Sequence, residues 1–534
     1  MLLEFKKNVQ AHERSLTGSN PVVKSIPENL AYQFTDVTGH KTVSLIGNAI
    51  ARRGASTFIR QWLTEERPDG IQTQDAIALV KQFNGMFLLI YEDSKNQLFQ
   101  WVNDFLGFYP WYVYEDPHRL LFTSSMRSIY RRQGISLDID LNAILNYLNN
   151  GHLLNDQSWF KQLKRCRPAT LFTYHCDSGR WNEQIYWTWS KIGPKSQDAT
   201  ALREAYIQSF EHSVLDLEIP EASRVAVGLS GGLDSRWIAQ IASIHAPLQA
   251  YFFANESGWE YRLSKKIAAA LGIPHVYHVL SNAQWLENRL ELLWECDACL
   301  HLGHLHEGWS YHQQLYELDL YYHGFYGGGI YASRNQSNQA MHEHAARKVF
   351  HSADGKYLTE LPYLNFPSID PYYAFQRIRH QSAHSIQLLA QRCKVVVPFY
   401  DMNWLECNYR VDDCLQLNGK FYLESLNNSL QKNVLEIPWQ RTGIPPQHIF
   451  LNRMAQAIHW PYIFSTMLEW RNRSKHFMNY RTLDPQINQW INHFKKDAME
   501  IHSVYPLKSR EQKMRMLSIV LWMKMLQQNT AHVL

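Results

Sequence analysis

The sequence predicts an α/β protein built from two dissimilar parts, and three observations carry that reading. The first is a series of short β-patterned segments between residues 40 and 190, separated by turn residues at the spacing of antiparallel sheets. The second is a change of period after residue 200, where strand-like and helix-like segments alternate as in a parallel sheet covered on both faces. The third is Val225 to Ser235, VAVGLSGGLDS, in which a β-branched run enters a Gly-Gly turn and a helix follows. With 534 residues, 45% hydrophobic and 19% charged, the chain has room for two or three domains and a full core. A formal net charge of +4 is too small to argue for a nucleic-acid partner, and no apolar run reaches the ~18 residues of a membrane span. The N-terminus lacks the long apolar core of a signal peptide, and seven scattered cysteines do not read as a disulfide framework. The expected setting is cytoplasmic, with neither membrane nor nucleic acid as partner.

Taken in order, Phe87 to Tyr91, Gln97 to Val102, Trp111 to Tyr114 and Leu120 to Thr123 read as strands joined by polar turns. Leu141 to Asn150 reads as a helix with Asp140 as its N-cap, and Ala169 to Tyr174 as one more strand. The polar stretch Lys191 to Ala199, KIGPKSQDA, reads as a linker and places two domains at 1–190 and 200–534. Thr200 to Leu217 is then helical, Val225 to Gly228 a buried strand and Arg236 to Ile244 a helix. Leu248 to Ala254 is a second strand, Glu260 to Leu271 a helix ended by Gly272, and Val276 to Leu280 a third strand. From Asn282 onward helical patterning dominates, and Met514 to Leu526 reads as an amphipathic docking helix.

The Ser-Gly-Gly-Leu-Asp-Ser turn is the most informative segment. Gly231 and Gly232 let the backbone approach a phosphate, and the helix start beyond them offers unbonded N–H groups and a positive dipole end. Ser230 and Ser235 add hydroxyl donors, and Asp234 is suited to hold Mg²⁺ or cap the helix. The turn is neither a G-x-x-x-x-G-K loop nor a G-x-G-x-x-G fingerprint. It resembles the pyrophosphate loop of enzymes that split ATP into AMP and pyrophosphate. On that likeness Leu229, Ser230, Gly231, Gly232, Asp234 and Ser235 are the expected ATP contacts, with Asp234 the Mg²⁺ ligand. The adenine is expected against backbone near Phe253 and Ala254.

Other segments extend the likeness. Phe83-Asn84-Gly85-Met86-Phe87, Asp104 to Tyr112 (DFLGFYPWY), Phe122-Thr123-Ser124-Ser125, Val397-Pro398-Phe399-Tyr400-Asp401 and Asn418-Gly419-Lys420 stand in the order and spacing of the asparagine synthetase family, which the chain resembles over most of its length. The resemblance implies an N-terminal nucleophile (Ntn) hydrolase-like α+β sandwich, followed by a parallel-sheet PP-loop ATP-pyrophosphatase domain with a helical C-terminal part. It implies an enzyme that adenylates a carboxylate with ATP·Mg²⁺ and passes it to ammonia or an amine. The resemblance leaves a homodimer open.

The chain departs from that pattern in three places. Position 2 is Leu2 where the family's glutaminase has its cysteine, and the first cysteine is Cys166, so glutamine hydrolysis is expected to be absent. The family's second glycine-rich loop, G-E-G-x-D-E, corresponds to Tyr321 to Ser333, YYHGFYGGGIYAS, which keeps Gly324, Gly327, Gly328 and Gly329 but has no acid. A replacement carboxylate for the cation is expected from Glu260, Glu295, Asp297 or Glu307. Counting from Lys420, the family's catalytic lysine falls on Thr442, with Arg441 beside it as the candidate permanent charge. Tyr326 is a candidate catalytic phenol, and His304 and His323 are candidate bases in place of the lost acids.

Cys296-x-x-Cys299 with His301, His304 and His306 has zinc-type ligands, but no second C-x-x-C accompanies it, and pocket-lining histidines are the alternative. The leading expectation is an ATP-dependent amide ligase acting on a small-molecule or peptide carboxylate, without a glutaminase of its own. Lasso-peptide macrolactam cyclases and β-lactam synthetases, which resemble it in lacking the cysteine, mark one alternative, and amidation of surface sugar acids another. A tRNA-modifying adenylating enzyme and a non-catalytic ATP-binding protein complete the set.

Overall fold

The computed structural model describes residues 1–6, 22–25, 31–130, 132–221, 223–254, 258–280, 289–305, 315, 317–327, 369–470, 483–494, 507 and 509–528. Two antiparallel sheets come first. One has the order β2-β1-β8-β7-β9, from β1 (Leu2–Lys6), β2 (Val22–Ser25), β7 (Tyr112–Glu115), β8 (Arg119–Thr123) and β9 (Leu163–Arg165). The other has the order β11-β10-β6-β5-β4-β3, from β3 (Tyr32–Thr35), β4 (Lys41–Ala51), β5 (Phe83–Asp93), β6 (Leu98–Asn103), β10 (Thr170–His175) and β11 (Trp181–Ile185). Aromatic rings fill the space between them: Phe5 and Phe122 of the first sheet meet Phe99, Trp101 and Phe172 of the second at centroid distances of 5.0–6.0 Å. Alternation puts those rings on one face of each strand, as a sheet-on-sheet core requires. Helix Ala55–Thr64 packs on the second sheet and α1 (Leu141–Asn150) on the first, which gives the layered α+β sandwich expected of an Ntn-type domain. Asp140 caps α1 as predicted, its carboxylate accepting from the backbone N–H of Asn142 and Ala143.

The third sheet is wholly parallel, in the order β14-β13-β12-β15-β16, from β12 (Val225–Gly228), β13 (Leu248–Ala254), β14 (His275–Val279), β15 (Leu320–Tyr322) and β16 (Lys394–Val396). Three of these strands match the sequence reading to within a residue. The last two correct it, because both lie where only helix was expected. Each has three residues, too few to display a period of two, and is held as a strand by its neighbours. Helix α2 (Leu233–His245) begins inside the Gly-Gly motif, three residues before the predicted start, so Asp234 and Ser235 lie in its first turn. Helix α3 (Trp259–Leu271) follows β13. The sheet changes winding direction between β12 and β15, the position where open parallel sheets bind ligands at the C-terminal strand ends.

The two parts meet along a polar and aromatic seam. Side chains of Asn48 and Asn84, on β4 and β5, pair with the outer edge of β16 and the residue after it as a strand would. Asn48 donates to Val395 O (2.7 Å) and accepts from Val395 N (3.0 Å), while Asn84 does the same with Val397 (3.2 and 2.9 Å). Arg52 forms an ion pair with Asp401, and the Tyr400 hydroxyl donates to the buried carboxylate of Asp104. Phe105 and Phe108 stack on Tyr400 at 4.8 and 4.7 Å. Beside them the π-helical segment Ala374–Ser382 presents Arg379 to the carbonyls of Gly107, Asn155 and Cys166, and Arg165 reaches those of Gly107 and Phe108. Both arginines are buried, at 2% and 1% exposure. Helix α5 (Arg510–Gln528) returns to the first part, where Arg515 donates to Leu148 O at 2.9 Å and Trp522 packs on Trp159. It docks as predicted, and among the described residues no helix is long and apolar enough to cross a membrane.

Candidate active site

The cleft at the switch point opens over the C-terminal ends of β12, β13 and β15, with a volume of about 240 Å³. Gly228, Leu229, Ser230, Asp234 and Ser235 form its floor, Tyr251, Phe252, Phe253 and Glu260 one wall, and Tyr321, His323 and Gly324 the other. The floor is braced from below. Leu229 N donates to Tyr251 O (2.9 Å), and Leu229 O accepts from the Ser264 hydroxyl (2.6 Å), which also contacts His275 (2.8 Å). Ser230 and Ser235 hydroxyls lie 3.1 Å apart, and Gly232 N–H donates to the Ser230 hydroxyl at 3.1 Å. No side chain caps the start of α2, so its first N–H groups face the cleft with the dipole's positive end.

Two glycines mark where segments close in. A side chain at Gly231 would meet Leu263 at 2.9 Å and Gln440 at 3.0 Å. One at Gly327 would meet Asp234 at 2.9 Å and Phe399 at 2.8 Å, so the second glycine-rich loop lies directly on the acid of the first. The chain thereby brings three distant segments onto one carboxylate. Gly324 and Gly327 approach Asp234 from β15, the Tyr422 hydroxyl donates to its Oδ1 from α4 (Lys420–Ser429), and Arg441 feels its charge from the turn beyond. Burial lowers the proton affinity of Arg441 and the Asp234 carboxylate opposes that shift. Burial, then the Asp234 charge, pushes the Tyr422 phenol well above its usual range, so it remains a hydrogen-bond donor.

The sequence-derived candidates separate clearly. Leu229, Ser230, Asp234, Ser235 and Phe253 line the cleft, Gly231, Gly232 and Gly327 stand immediately around it, and Arg441 is within electrostatic reach of Asp234. Ala254 is buried at the end of β13, its carbonyl already accepting from Leu280 N–H (2.9 Å) and the Tyr277 hydroxyl (3.2 Å). Tyr326, at φ +73°, packs edge-on against Phe108 and Tyr400 at the seam rather than in the cleft lining. Gly328, Gly329, His306 and Glu307 lie outside the described residues.

Among the described replacement acids, Glu260 lines the cleft. Glu295 pairs with Arg392 at 3.3 Å, and Asp297 is held by Met126 N–H (2.8 Å) and Ser125. His323 is in the lining, whereas the His304 ring lies tilted against that of buried His301 at 3.9 Å. Cys296 and Cys299 are buried with their sulfurs on backbone carbonyls, and no group of three or more metal-ligating side chains occurs among the described residues. Two participants escaped sequence reading: Tyr422, two residues past the Asn-Gly-Lys motif, and Arg236, taken as an ordinary helix residue.

Residues 73–187 match the glutamine amidotransferase domain family and residues 211–304 the asparagine synthase family. Asparagine synthetase [glutamine-hydrolyzing] 1 of Bacillus subtilis (strain 168) is 23% identical over 222 residues, covering 40% of this chain and 34% of that protein. Asparagine synthetase [glutamine-hydrolyzing] 3 of the same bacterium is 26% identical over 189 residues, 34% and 30% of the two chains. Putative asparagine synthetase [glutamine-hydrolyzing] 2 of Methanocaldococcus jannaschii is 24% identical over 164 residues, 30% and 32%. The matched stretch thus spans about a third of the length of each relative.

Proposed function

We propose that the chain is a member of the asparagine synthetase family and an ATP-dependent amide ligase that activates a carboxylate as an acyl-adenylate without hydrolysing glutamine itself. The observation that carries the proposal is the convergence on Asp234 of both glycine-rich loops, Tyr422 and Arg441 at the mouth of a switch-point cleft.

The α2 start and the hydroxyls of Ser230 and Ser235 hold the leaving pyrophosphate, with Phe253 and Tyr251 on the wall that takes the nucleoside. A carboxylate oxygen attacks the α-phosphorus, the bond to pyrophosphate breaks, and Arg441 supplies permanent positive charge to the phosphates. Ammonia or an amine then attacks the acyl carbon, and AMP departs with the original carboxyl oxygen. For the ammonium proton released in that step, His323 in the lining is the candidate acceptor. A hard divalent cation fits the donor set: Asp234 and Glu260, which line one cleft, would hold it through carboxylate oxygens, and phosphate and water oxygens would fill the rest of its shell. The chemistry it would supply there is offset of phosphate charge.

Two features support a silent glutaminase half. Leu2 opens β1 where the family carries its thiol. Cys166 is fully enclosed, its carbonyl accepts from Arg379, and burial pushes its thiol well above the usual range.

The test is release of AMP and pyrophosphate from ATP·Mg²⁺ across a panel of carboxylates with ammonia or amines. Asp234→Asn is expected to lower the rate by about a thousandfold. ATP binding without AMP or pyrophosphate for any carboxylate would instead favour a non-catalytic nucleotide-binding role. Glutamate formed from glutamine would overturn the second half of the proposal.

A further inference from the structure

We propose that Arg236 is a positioning residue that sets the pyrophosphate loop and the Arg441 turn as one unit. Its side chain is fully buried, and all of its hydrogen bonds run to backbone carbonyls on two segments two hundred residues apart. On the loop side, Nε donates to Gly232 O (2.9 Å) and Nη2 to Gly231 O (3.0 Å). On the far side, Nη2 donates to Pro438 O (3.0 Å), and Nη1 to Ile437 O (2.9 Å) and Val434 O (3.3 Å). Gln440 N–H closes the same junction by donating to Gly231 O at 3.1 Å, and the Trp259 indole holds Gln440 O at 3.3 Å.

The peptide plane makes this consequential. In a trans peptide the C=O and the next N–H point in opposite directions. Drawing the carbonyls of Gly231 and Gly232 inward onto Arg236 therefore turns the N–H of Leu233 outward, to the side where a phosphate would sit, and directs the N–H of Gly232 onto the Ser230 hydroxyl at 3.1 Å. The same guanidinium fixes Pro438, three residues before Arg441, and so sets the reach of Arg441 toward Asp234. It also leaves a permanent positive charge beneath the loop, near Asp234 and Tyr422. Lysine cannot reproduce this, because a single ammonium cannot span carbonyls on both segments.

The catalytic part rests on the ligase reading above; the binding part does not. With the full chain, Arg236→Lys is expected to weaken ATP·Mg²⁺ binding by about tenfold. In AMP formation, Arg441→Lys should cost distinctly less in the Arg236→Lys background than alone, since the turn is already misplaced. Unchanged nucleotide affinity, together with additive effects of the two substitutions, would overturn the proposal. Hydrogen exchange on the unmutated protein supplies a test that needs no variant. Adding ATP·Mg²⁺ should protect 230–235 and 434–441 together, and protection confined to the loop would refute the coupling. Absence of AMP for every carboxylate would sink the ligase reading, while binding and exchange would still decide Arg236.

Discussion

The cleft and the seam both bury arginine, and they use it in opposite ways. At the seam, Arg165 and Arg379 end on backbone carbonyls of the first part, and His380 and His384 crowd in beside them. Rings of Phe105, Phe108 and Tyr400 fill the remaining space. At the cleft, Arg236 also ends on carbonyls, but beside it Asp234 lines an open cleft together with Ser230 and Ser235, and its charge reaches Arg441. Unusual burial of charge is thus shared by scaffold and site. What marks the site is charge held ready beside empty space, and what marks the scaffold is charge whose donors are spent on the protein itself.

That contrast can be broken by showing that a seam residue governs nucleotide chemistry or that a cleft residue governs stability. The largest effect is expected from Arg379→Met, which strands the carbonyls of Gly107, Asn155 and Cys166 and should cost about 4 kcal/mol in denaturant unfolding. ATP affinity of the folded fraction should be unchanged.

Acid should weaken the seam next. Burial pulls His152 down to about 4, and burial together with Arg165 pulls His380 and His384 well below the ordinary value. The unfolded chain therefore binds more protons between pH 6.5 and 4. Stability contributed by the neutral rings is full above pH 6.5 and is lost as pH falls toward 4, by about 3 kcal/mol for His152 alone. A flat unfolding midpoint across that window would count against the seam's account.

Arg441→Gln should lower AMP formation about a hundredfold with little change in unfolding midpoint. The smallest effect belongs to Tyr422→Phe, which removes one hydrogen bond to Asp234 and should cost about tenfold in turnover. A larger loss of stability than of rate in either variant would move that residue from the cleft's chemistry to its framework.

The sequence made the Gly-Gly loop legible because a β-branched strand, a turn and a helix are contiguous there, and local pattern reports local structure. Counting from the Asn-Gly-Lys motif lands on Thr442 with Arg441 beside it, and such counting reaches along the chain but not across it. Tyr422 and Arg236 were invisible for a physical reason: each acts on a partner brought close only by folding, Tyr422 on Asp234 and Arg236 on Pro438. Tyr326 shows the reverse. Its place between glycines suggested a catalytic phenol, yet its ring belongs to the aromatic packing of Phe108 and Tyr400. The motifs around Asn84, Asp104 and Val397 to Asp401 signalled a family resemblance, and in the structure they touch one another at the seam. Strands β15 and β16 were missed because three residues of Leu-Tyr-Tyr or Lys-Val-Val carry no usable period.

The amide side chains of Asn48 and Asn84 have a consequence for anyone who divides this chain. They are the outermost partners of β16, and by imitating a strand they finish the parallel sheet with groups borrowed from the other part. Expressed alone, residues from 200 onward would carry a bare sheet edge with live donors and acceptors, the surface on which chains stick to one another. The first part is in that sense a solubility cap for the second, whatever became of its own chemistry.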